Sequence, residues 1–94
     1  MTPEQVRAVQ AAIDRGTEVF DTLLRIKGER YALKVAMFVS CHKMFMRLYD
    51  PSHQEHQDFT AQLLDAFGYS SDDPQAMLDF VKDFDMLRRA QEVQ

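Results

Sequence analysis

Residues 30–49 read RYALKVAMFVSCHKMFMRLY, and this stretch decides the fold. Large apolar side chains recur at Tyr31, Leu33, Val35, Met37, Phe38, Val39, Cys41, Met44, Phe45, Met46, Leu48 and Tyr49. Only Lys34, Ser40, His42, Lys43 and Arg47 break the coat. There is no sustained alternation of period two, so the segment predicts a helix and not a strand. A helix that is apolar on most of its girth must be covered on most of its girth. Two arrangements would do this. The other helices of the chain can surround it, or a second copy can close the side they leave open.

Working outward, Asp50-Pro51 ends this helix, because proline disfavours helical backbone in the residue before it. On the other side Gly28 marks a break. A single helix running through it over 3–49 would be about 70 Å long at 1.5 Å per residue, too extended for one small domain. A straight helix through Gly28 in a domain-swapped dimer would carry the same pattern. Thr2-Pro3-Glu4-Gln5 starts an earlier helix, with Thr2 as cap, Pro3 in the first turn and Gln5 closing a capping box. Its apolar stripe is Val6, Val9, Ile13, Gly16, Phe20 and Leu23, and the helix is expected over Pro3–Lys27. That spacing holds a seven-residue repeat, as a coiled-coil seam does.

Downstream, Ser52-His53-Gln54-Glu55 is a second capping-box pattern. It opens a third helix carrying Phe59, Leu63, Leu64 and Phe67, closed by Gly68. Residues 69–73 are a loop by composition. Asp73-Pro74 opens a fourth helix with the stripe Met77, Phe80, Val81, Phe84 and Leu87. Arg88 and Arg89 near its end suit the helix dipole. The fold class is therefore all-α: one domain over 1–94, a small bundle of about four helices. Since symmetric dimers are the commonest oligomers, a homodimer completing the bundle is the expectation.

Composition narrows function by exclusion. Ninety-four residues make one domain with a thin core. The apolar share of 46% is enough to fold it. A net charge of −4 argues against non-specific nucleic-acid binding, which needs a basic surface. Cys41 is the only cysteine, so no intrachain disulfide forms and a reducing, cytoplasmic setting is expected. Residues 1–5 lack the layout of a signal peptide, and no apolar run approaches the ~18–20 residues of a membrane span.

Several clusters hold residue types that can carry chemistry. His42, His53 and His56, with Cys41, are the residue types that hold zinc or copper. Their spacing fits no zinc pattern, and Cys41 and His42 diverge by about 100° on a helix. Neither a metal nor a cofactor is expected. Cys41 lies in an apolar run and is expected to be buried and unreactive. Asp79, Asp83 and Asp85 form a candidate acidic surface on the fourth helix. The chain holds no Gly-rich phosphate loop, no Gly-x-Ser-x-Gly elbow and no calcium loop. No catalytic site is expected.

The reading is a non-catalytic module that binds another protein, as an adaptor, inhibitor or accessory regulator does. Its expected contact residues are Phe38, Met44, Phe45, Tyr49, Phe67 and Tyr69, because large aromatics and methionine are enriched at interface cores. One alternative is a small-molecule or metal binder using His42, His53 and His56. Another is a regulator of nucleic-acid function, either a transcription-factor module or an acidic mimic.

Overall fold

The computed structural model describes residues 1–69 and 72–94. These described residues form four helices: α1 (Pro3–Lys27), α2 (Glu29–Tyr49), α3 (His53–Ala66) and α4 (Pro74–Ala90). Among the described residues there is no strand. Among the described residues no helix is long and apolar enough to cross a membrane. Of the loop expected over 69–73, Ser70 and Ser71 lie outside the described residues.

Local chemistry sets the boundaries. Thr2 and Gln5 close the capping box: the Gln5 N–H donates to Thr2 Oγ1 at 3.1 Å, and the Thr2 N–H donates to Gln5 Oε1 at 2.8 Å. At α3 only half of that motif forms. Ser52 Oγ accepts from the Glu55 N–H, but the Glu55 carboxylate accepts from the Ser52 hydroxyl at 3.0 Å and not from the Ser52 N–H. Asp73 caps α4 by accepting from the Ala76 N–H. Gly28 breaks α1 from α2 with φ 91° and ψ 165°, a region open essentially to glycine alone. Asp50 ends α2 in the left-handed region, φ 38°, which aspartate tolerates better than most residues.

α1, α2 and α4 pack on one another, and α3 rests mainly on α2. The core centres on Phe38, which is fully buried. Its ring meets Phe67, Phe80 and Phe84 edge-on, with centroids 4.7–5.4 Å apart. Val35, Val39, Leu23 and Leu87 fill the space around it. Gly16 lets the end of α4 come close. A side chain begun there would meet Gln91 Cγ at 2.8 Å. Arg15 fastens that same end by donating to the backbone carbonyls of Ala90 and Glu92, which have no helical partner of their own.

Two expectations change. The seam of α1 does not all face inward. Gly16 and Leu23 are buried together with Ala12, while Val6 and Ile13 stay exposed. The reason is the close approach of α4: it selects the small residues of α1. α2 is likewise covered on one side only. The fold is a slab 48 × 35 × 15 Å, too thin to enclose its central helix.

Candidate interaction surface

Along α2 the buried residues are Ala32, Val35, Phe38 and Val39. The opposite side carries Leu33, Met37, Met44 and Leu48, which are 45%, 58%, 62% and 64% exposed. Cys41, also exposed, falls among them. At 100° per residue these five positions span about 80° of the helix circumference. They make one continuous apolar stripe facing water. Scattered apolar residues on a surface are ordinary, whereas a contiguous row signals a contact. Beside the stripe runs a groove of about 550 Å³ between α1, α2 and the end of α4, with Ile13, Thr17, Ala36, Ser40, Lys43 and Gln91 among its walls. The exposed Ile13 thus continues the apolar face onto α1.

The expected contact residues divide. Met44 and Tyr49 are exposed. Phe45 is half-buried, because its ring stacks on Phe59 of α3, with centroids 3.8 Å apart and planes 7° from parallel. Phe67 and Tyr69 are half-buried on the core, Tyr69 stacking on Phe80 at 4.2 Å. Phe38 is a correction: it has no exposed surface, since it is the residue on which three other phenylalanines converge. Cys41 is the opposite correction. It is exposed and not buried, because it lies on the side of α2 that no helix covers.

The histidines also separate. His42 on α2 and His56 on α3 meet with their Nε2 atoms 2.7 Å apart. The His42 ring also packs against Phe84 at 5.1 Å. Burial pulls the His42 pKa below its ordinary value, and the neighbouring His56 and Arg88 push it the same way. His53 stays apart and pairs with Gln57 one turn on. A structural zinc takes four ligands, and this contact supplies two imidazoles. Among the described residues no group of three or more His, Cys, Asp or Glu could hold a metal ion.

The three carboxylates of α4 do not act as one patch. Asp83 is turned inward, its side chain 14% exposed. It accepts from Lys27 Nζ at 2.7 Å and from the Tyr31 hydroxyl at 2.5 Å. Burial, then this carboxylate, raises the Tyr31 pKa well above the ordinary tyrosine range. Asp85 pairs with Arg88 at 2.6 Å and Arg89 at 2.9 Å. The hydrogen bond from Arg88 holds its pKa below the usual value. Asp79 accepts from Gln75. Of the solvated acidic row expected from the sequence, Asp83 and Asp85 are thus paired with cations, while Asp79 meets a neutral amide.

Sequence reasoning passed over Leu33, Met37 and Leu48. The signal was there: with Met44 they recur in steps of four, seven and four residues on one side of α2. In a helix that is apolar all round, that row does not stand out. No family model, no curated protein and no solved structure matches this chain.

Proposed function

We propose that the chain is a small non-catalytic protein-binding module whose working face is the water-side stripe of α2. The observation that carries this reading is the exposure of Leu33, Met37, Met44 and Leu48 along the central helix of the fold. Leaving such a row in water forgoes about 25 cal/mol for every Å² of apolar surface, a gain that a partner would recover. Methionine suits the task, because its unbranched thioether adapts to a partner's shape. Met44 lies on this face, whereas Tyr49, exposed at the end of α2, turns toward Phe45 with ring centroids 5.5 Å apart. Phe45, Phe67 and Tyr69 support the face by fixing α3 and the core beneath. An adaptor, inhibitor or accessory regulator would work in this way. The single cysteine, with no intrachain disulfide to make, supports action in a reducing, cytoplasmic setting.

Capture from the native lysate on tagged wild-type protein, beside Met37→Glu/Met44→Glu, tests this. Both residues are exposed, so the variant should keep its helical circular dichroism. The expected result is at least one protein, a second copy of the chain included, held by the wild type and lost by the variant. Identical captures from two equally folded proteins would overturn the reading.

A further inference from the structure

We infer that the occupant of the α2 face is a second copy of this chain, docked antiparallel about a two-fold axis at Ser40 and Cys41. The inference rests on the binding-module reading and names its partner.

The first argument is the symmetry of the stripe. Leu33, Met37, Ser40, Cys41, Met44 and Leu48 follow one another in steps of four, three, one, three and four residues. The row reads the same from either end. A two-fold interface places the same patch on both subunits, each residue i meeting j and j meeting i. Laid antiparallel on itself, this row sets Leu33 against Leu48 of the second copy and Met37 against Met44 of the second copy. Small side chains, Ser40 and Cys41, fall at the axis, where the helices come closest.

The second argument is area. The chain exposes 6742 Å². A folded monomer of 10.9 kDa typically exposes about 5,600 Å². The excess, about 1,100 Å², is of the size that one partner loses in a standard interface, about 800 Å². The radius of gyration points the same way: 14.5 Å against about 12.4 Å for a compact chain of this length. A slab 15 Å thick becomes a two-layer domain when a second slab covers it.

The third argument is charge. The antiparallel register lays the N-terminal end of each α2 beside the C-terminal end of the other. The helix dipoles thus set unlike ends together. Two of the cations beside the stripe are already engaged within the chain. Lys43 donates to Gln91, and Lys34 lies over the Tyr69 ring. Neither needs to be desolvated unpaired.

Sedimentation equilibrium of the purified, reduced protein tests the partner. The mass expected is twice the 10.9 kDa of the chain, falling to the single-chain mass in Met37→Glu/Met44→Glu at unchanged circular dichroism. Zero-length disulfide formation under mild oxidation tests the geometry. Met37→Cys/Cys41→Ser mixed with Met44→Cys/Cys41→Ser should cross-link, and neither protein alone should. Each protein cross-linking by itself as readily as the mixture would overturn the antiparallel register. A wild type that stays monomeric would overturn the second copy as occupant. If that monomer still held some other protein through the stripe, the binding-module reading would stand without this inference. If it held nothing, both would fall.

Discussion

His42 and His56 face each other across the α2–α3 contact with their Nε2 atoms 2.7 Å apart. A neutral imidazole has one N–H and one acceptor, so one ring donates and the other accepts. Once His42 is protonated its ring has donors only and can no longer accept. Burial already lowers the His42 pKa, aided by His56 and Arg88. A lowered pKa means that the fold favours the neutral ring. Its contribution is complete above the ordinary histidine value of 6.5 and is lost as pH falls through the lower folded value. The melting temperature should therefore drop between about pH 7.5 and pH 5. His42→Gln should remove much of that drop. Asp85, whose pKa is also lowered, loses its contribution only below its ordinary 3.8, outside this window. Equal pH dependence in wild type and variant would refute the assignment.

Asp83 ties α4 to both neighbouring helices through Lys27 and Tyr31. Asp83→Ala removes the acceptor for both from a largely buried position. The expected loss is about 1.5–3 kcal/mol in urea unfolding, the range for hydrogen bonds to a charged group. Tyr31→Phe should cost less, about 1 kcal/mol, because Lys27 still holds the carboxylate. Loss of under ~0.5 kcal/mol in Asp83→Ala would show the junction to be ornamental.

Gly28 holds φ 91° and ψ 165°, and a Cβ added there would touch nothing within 4 Å. The effect of Gly28→Ala is then backbone strain alone, on the order of 1–3 kcal/mol. A lower urea midpoint with unchanged slope is the expected outcome. A stabilised variant would mean that α1 and α2 prefer to run on as one helix.

Phe38 and Met37 are chain neighbours with opposite surroundings. Phe38→Ala opens a hole at the meeting point of three phenylalanines and should cost about 3–5 kcal/mol. Domains of this length hold roughly 5–14 kcal/mol in all, so the variant should be marginal in thermal melts. Met37→Ala should change single-chain stability by no more than ~0.5 kcal/mol when measured below the association concentration. Similar losses at both positions would contradict the placement of α2.

The elements were legible because punctuation is local. Pro3, Gly28, Asp50-Pro51 and Asp73-Pro74 each act on their own backbone; α1 and α2 begin or end beside the first three, and α4 begins beside the last. The inward face of α2 was not legible. Phe38 and Met37 are both large and apolar, and only the docking of α1, α3 and α4 decides which is covered. Cys41, expected in the core, faces water for the same reason. In α1 bulk pointed the wrong way: Ala12 and Gly16 face the core because they are small, and Ile13 is left in water. His42 met His56, and Asp83 met Lys27 and Tyr31, across turns that sequence spacing alone does not specify.

The most direct measurement is the protection of methionine methyl groups from a soluble paramagnetic chelate, read by NMR on methyl-labelled protein at high concentration. In a lone chain Met37 and Met44 are more than half exposed, as Met1 is, while Met77 packs against the core. If the α2 stripe is covered by a second chain, the Met37 and Met44 signals will resist broadening as Met77 does, and Met1 will broaden. If Met37 and Met44 broaden as Met1 does, the stripe is bare in solution and the pairing of two copies through α2 is wrong.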